Sequence, residues 1–98
     1  MGITERALSD LTQVRDFIAK RSPINAAKFL EKLLRQFDVM ERSPEGFGRA
    51  PEDALVPYTL HQIVVKPYRI LYRVSGTSIQ ILHVRHGARR RARPDELQ

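Results

Sequence analysis

The chain has no cysteine, no acidic residue between Tyr58 and Arg93, and no apolar run approaching a membrane span. Without cysteine there is neither a disulfide framework nor thiolate chemistry, which fits a cytoplasmic protein. A spanning helix needs ~20 consecutive apolar residues, so no membrane association is expected. The opening MGITERALSD lacks the charged-then-apolar layout of a secretory signal. No P-loop, GxGxxG, GxSxG or HExxH motif occurs, which excludes the commonest phosphate-loop, dinucleotide, serine-hydrolase and zinc-peptidase sites. The only histidines are His61, His83 and His86. The last two lie three apart on a strand and therefore on opposite faces, so neither a metal nor a cofactor is expected.

What is present is a basic half. Residues 1–57 hold nine Lys/Arg and nine Asp/Glu, whereas residues 58–93 hold eight Lys/Arg and no acid, and Asp95 and Glu96 then bring the net charge to +6. Such a one-sided field favours an anionic partner: nucleic acid, a nucleoprotein or an acidic protein. A solvated arginine run near a terminus would have the same composition. Arg69 and Arg73, however, sit inside a strand. The length, 98 residues, suits one domain able to bury one core but not two.

The periodicities predict an α+β fold, an antiparallel helical hairpin (4–42) packed on a small antiparallel sheet (58–87), with a loop (43–57) between them and a basic tail (88–98). Thr4 caps a helix whose apolar positions run Ala7, Leu8, Leu11, Val14, Phe17, Ile18. Ser22-Pro23 ends it and starts a second helix, with proline at the first helical position where its missing N–H is harmless. The second stripe runs through Ala26, Ala27, Phe29, Leu30, Leu33, Leu34, Phe37 and Met40 to Ser43-Pro44. So short a connection makes the helices antiparallel neighbours. Loop 43–57 has three prolines and two glycines. It can lie over the basic sheet face, where Glu52 is a candidate base.

The sheet reads YTLHQIVV, YRILYRV and SIQILHVRH, broken at Lys66-Pro67 and Ser75-Gly76-Thr77. Side chains alternate with period two, so an even-numbered turn puts Ile70, Tyr72 and Val74 on one face with Ile79, Ile81 and His83. That face is the expected core. The other carries Arg69, Leu71 and Arg73 beside Gln80, Leu82 and Val84, a half-apolar floor expected to stay uncovered for a macromolecular target. His86 ends the last strand beside Gly87 among Arg85, Arg89 and Arg90, a setting in which an imidazole can serve as a base in metal-free RNA cleavage.

Five segments, ALSDL, Ser22-Pro23, PEGFGR, YRILYRV and IQILHVRHGAR, together resemble the RelE/ParE superfamily of toxins from type II toxin-antitoxin modules. The family usually opens with a β-strand, for which only Met1 to Ile3 remain; the first strand is expected to be short or absent, leaving three strands and an open edge. The resemblance implies a toxin held in a hetero-oligomer by a ParD-like antitoxin with an acidic or amphipathic segment. On that reading Leu8, Leu11, Phe29, Leu33 and Phe37, with the sheet edge, bind the antitoxin. The target is DNA gyrase for ParE-like members or the ribosome for RelE-like ones, which cut mRNA. Arg69, Arg73, Arg85, His86, Arg89 and Arg90 are the expected target-binding residues; Glu52, Arg69, His86 and Arg89 are the catalytic set of the nuclease alternative. The lysine pair of the nucleases has no counterpart in Leu60 to Val65, and no tyrosine follows Tyr72. Those departures place the chain nearer the ParE-like members, with a small basic nucleic-acid-binding domain as a further alternative.

Overall fold

The computed structural model describes residues 2–88 and 90–97. Helix α1 spans Glu5–Arg21 and helix α2 spans Pro23–Arg42. Thr4 starts α1 by accepting a hydrogen bond from the Ala7 N–H at 3.1 Å. One residue, Ser22, closes α1 and opens α2: its N–H donates to the Ile18 carbonyl at 2.9 Å, and its hydroxyl accepts from the Asn25 N–H at 3.2 Å. Both groups are among those a helix end leaves unpaired. This is the double cap that Ser22-Pro23 predicts. Among the described residues, no helix is long and apolar enough to cross a membrane.

The sheet has four strands, β1 (Gly2–Ile3), β2 (Leu60–Val65), β3 (Tyr68–Ser75) and β4 (Ser78–His86), in the order β1-β4-β3-β2. The three long strands form the antiparallel meander expected. The first is short but present and runs parallel to β4, pairing Gly2 with Gln80 and Ile3 with Ile81. The sheet is therefore mixed, and the edge expected to stand open is occupied at that point. Thr4 extends the attachment, its N–H donating to the Ile81 carbonyl at 3.0 Å and its hydroxyl to that of Leu82 at 3.2 Å. At the β3–β4 turn Gly76 has φ of 62°, a backbone state that glycine enters without a Cβ clash. Gly87 brings the end of β4 against the β2–β3 turn, its N–H donating to the Pro67 carbonyl at 2.8 Å.

The expected alternation holds as far as Leu82 and then inverts. A bulge shifts the β3–β4 register between Leu71 and Tyr72, so that Tyr72 faces Ile81 while Leu71 faces His83. One extra residue on β4 flips every later side chain. Val84 consequently joins the core under the helices, with Ile70, Tyr72, Ile79 and Ile81, and His83 does not. Phe29, at 7% exposure, and Leu33, at 2%, belong to this core, which removes both from the surface expected to meet an antitoxin.

The other face is not bare. Leu60, Leu71 and Leu82 form a second apolar cluster with Ala50, Ala92 and Leu97. Burying a leucine side chain is worth about 1.5–3 kcal/mol, so four of them justify a layer of irregular chain on this side. Two 3₁₀ segments, Pro51–Leu55 and Pro94–Leu97, supply it. The expectation of a single core fails because the loop and the tail act together as that layer.

Candidate functional site

Arg69 on β3 stands directly opposite Arg85 on β4. Two guanidinium groups facing each other across a sheet repel unless each finds a counter-charge. Each finds one, from different ends of the chain. Arg69 donates to both oxygens of Glu52, from Nη2 to Oε1 at 2.6 Å and from Nη1 to Oε2 at 3.0 Å, and its Nε donates to Gln62 Oε1 at 2.9 Å. Glu52 is fully buried and also accepts from the Ala92 N–H at 2.8 Å. One carboxylate thus joins the loop, β3 and the C-terminal segment. Burial alone pushes the Glu52 carboxyl up, but the Arg69 hydrogen bonds, the Ala92 N–H, its own N–H and the Arg69 charge together hold it below its ordinary value.

Arg85, itself only 1% exposed, contacts His83 Nε2 at 3.0 Å and donates to the Arg90 carbonyl at 2.7 Å and to Glu96 Oε2 at 3.4 Å. His83 Nε2 lies against the Arg85 guanidinium, while its Nδ1 faces both Asp10 Oδ2 and the Arg6 guanidinium of α1. Glu96 also accepts from Arg90 Nη1 and from the Arg93 N–H, each at 2.9 Å, and pairs with Arg6 at 3.4 Å. The Arg93 N–H, set against the cost of burial, and then the Arg90 and Arg85 groups bring its carboxyl down to about 2.

Arg73 is the exception on this face. Its guanidinium lies over the Tyr58 ring, 5.4 Å from the centroid, and its Nε is buried without a hydrogen-bond partner. Tyr58 is itself committed, donating to the Leu97 carbonyl at 2.6 Å. Burial raises the Tyr58 phenol, and the Arg73 charge pulls the other way.

The uncovered cationic floor expected from the sequence is therefore closed, and Arg69 and Arg85 serve as its internal ties. Arg73 stays half-buried, while Arg90 and His86 reach solvent. Arg89 lies outside the described residues. The set Glu52, Arg69 and His86 is not brought together. His86 pairs in register with Tyr68 and stacks edge-on against its ring at 5.5 Å, on the helix side of the sheet, beside a small cavity of about 170 Å³ lined by Asp10, Gln13, Phe17 and Tyr68. Its Nδ1 accepts from the Ala88 N–H at 3.0 Å. Glu52 faces the opposite side with no solvent access. The loop does lie over the basic face, as expected, but its acid neutralises an arginine and is no free base. Glu96, Asp10 and His83 were not singled out by sequence reasoning as parts of this network. The usable signal was an acid in the loop and another in the tail flanking a sheet with none.

Residues 2–91 match the family described as ParE toxin of type II toxin-antitoxin system, parDE. The chain is 39% identical over 87 residues to Toxin RelE2 of Caulobacter vibrioides, spanning 88% of this chain and 92% of that one. It also superposes on a solved chain of the chromosomal ParDE TA system from P. aeruginosa with a TM-score of 0.66 at 25% identity, covering 88% of this chain and 95% of the other.

Proposed function

We propose that this chain, which belongs to the ParE toxin family of type II toxin-antitoxin systems, arrests growth by binding DNA gyrase and not by cutting mRNA on the ribosome. The observation that carries the choice of target is the separation of the acid, arginine and histidine a metal-free nuclease would need. General acid-base cleavage requires its base within hydrogen-bond reach of the 2′-hydroxyl. Glu52 and Arg69 are locked to each other beneath the tail, and His86 lies across the sheet from them. The surface left for a protein target is the outer side of the tail, where Arg90, Arg91 and Arg93 are exposed, together with His86.

Neutralisation falls to an antitoxin bound in a hetero-oligomer. Leu8, 55% exposed, and the partly buried Leu11 and Phe37 remain accessible on the hairpin. Along the outer edge of β2, Leu60 and Gln62 are already bonded to Ala50 and Gly48. The neighbouring groove of about 370 Å³ between α2 and β2 is lined by Lys32, Arg35, Gln36, Val64, Val65 and Lys66. Its charge suits an acidic segment.

Expression of the chain alone should arrest growth, and co-expression with its antitoxin should restore it. Purified chain should inhibit supercoiling by gyrase and leave ribosome-bound mRNA intact in primer extension. Cleavage of that mRNA, abolished by Arg69→Ala or His86→Ala in a folded variant, would overturn the choice of target.

A further inference from the structure

We infer that Arg73 marks a binding site for a carboxylate on an apolar stem, presented by an acidic-apolar peptide segment of a protein partner. The identification of the partner as a protein rests on the toxin reading; the site itself rests on the geometry. A cavity of about 490 Å³ lies between the loop and the tail, walled by Leu55, Val56, Tyr58, Leu82 and Leu97, with Arg73 as its cation. That is the size of a side-chain or small-ligand pocket, with apolar walls and one orienting polar group.

The charge balance of the face singles Arg73 out. Arg69 has Glu52 and Arg85 has Glu96, whereas no carboxylate among the described residues pairs with Arg73. Two other polar groups on the wall are already used: the Tyr58 hydroxyl donates to the Leu97 carbonyl and the Thr4 hydroxyl to the Leu82 carbonyl. Gln80, opposite Arg73 in register, adds an amide at the cavity edge. The Arg73 Nε has no acceptor, so this guanidinium is less fully hydrogen-bonded than that of Arg69, whose Nε, Nη1 and Nη2 all donate. A carboxylate offers two oxygens to a guanidinium fork, and an aliphatic stem matches the leucine walls. One arginine among apolar side chains is poorly suited to a phosphate, whose larger charge calls for several donors. At the rim Leu55 is 54% exposed, so the apolar wall continues onto the surface that a bound segment would cover.

The test is an NMR titration of the full-length ¹⁵N-labelled chain with two blocked tripeptides, acetyl-Leu-Glu-Leu-amide and acetyl-Leu-Gln-Leu-amide. The acidic peptide should shift the amides of Arg73, Gln80, Leu82 and Leu97 and bind about tenfold more tightly than its neutral twin, as expected for one charge-assisted pair. Arg73→Gln should abolish that preference and Arg73→Lys retain part of it. Leu55→Asp, on the exposed rim, should weaken the acidic peptide by repulsion. Equal affinity for the two peptides, no binding by either, shifts confined to other residues, or displacement of the acidic peptide by inorganic phosphate would each overturn the site. Failure of the toxin reading would register separately, as absence of growth arrest on expression, whatever the titration gives.

Discussion

The two faces of one sheet are covered by different physics. Under α1 and α2 the contact is mainly apolar, and regular helices present Phe29, Leu33 and Met40 to Ile70, Tyr72 and Ile81, while Asp10 of α1 reaches β4 as a carboxylate, accepting from the Val84 N–H and meeting His83. Under the loop and the tail, irregular chain covers three sheet leucines and is tied down by two carboxylates reaching two arginines that face each other. Helices satisfy their own backbone and can bury a face without further help. A loop and a tail cannot, and here Glu52 and Glu96 also accept the Ala92 and Arg93 N–H groups. An irregular layer held this way depends on charge state more than a helical layer held mainly by apolar contact.

The sharpest way to break the comparison is Glu52→Gln, which leaves the Arg69 guanidinium buried without its counter-charge. The expected cost is about 3–5 kcal/mol, read as a fall in the urea midpoint. On the helical face Leu33→Ala should cost about 2–5 kcal/mol through the cavity it leaves, with no dependence on pH or salt. Glu96→Gln should cost about 1–3 kcal/mol and loosen the tail before the hairpin, visible as earlier exchange of the amides of 90–97.

Acid should separate the faces as well. Both carboxyls are depressed on folding, Glu96 from 4.5 to about 2, so the stability Glu96 contributes is complete above about 4.5 and is lost as pH falls toward about 2, and that of Glu52 is likewise lost on acidification. Thermal unfolding between those limits should decline in the parent and decline less in Glu96→Gln. The smallest effect belongs to the exposed Glu31–Arg35 pair on α2, 3.8 Å apart, where Arg35→Gln should stay within about 0.5 kcal/mol.

The same contrast explains what the sequence made legible. Helical periodicity and the Ser22-Pro23 double cap announced the hairpin, and β-branched alternation between turn residues announced β2 to β4. Those signals are local. The bulge beside Leu82 has no glycine or proline to mark it, yet it moved Val84 into the core and His83 out. A two-residue β1 is too short to have a period. The second layer was the largest omission, because Glu52 precedes Arg69 by 17 residues and Glu96 follows Arg85 by 11, and nothing in either segment alone announces the pairing. Leu71 and Leu82 on the basic face were the available hint that something apolar had to cover it.

Closure of the basic face is tested most directly by native-state hydrogen exchange at the Ala92 and Arg93 amides, which donate to Glu52 and Glu96. Both should be protected well above unfolded-chain rates at neutral pH, with Ala92 losing its protection in Glu52→Gln while core amides of β3 retain theirs. Exchange of both amides at unfolded-chain rates in the parent protein would mean that the tail does not close this face and that Arg69 and Arg85 are open to solvent.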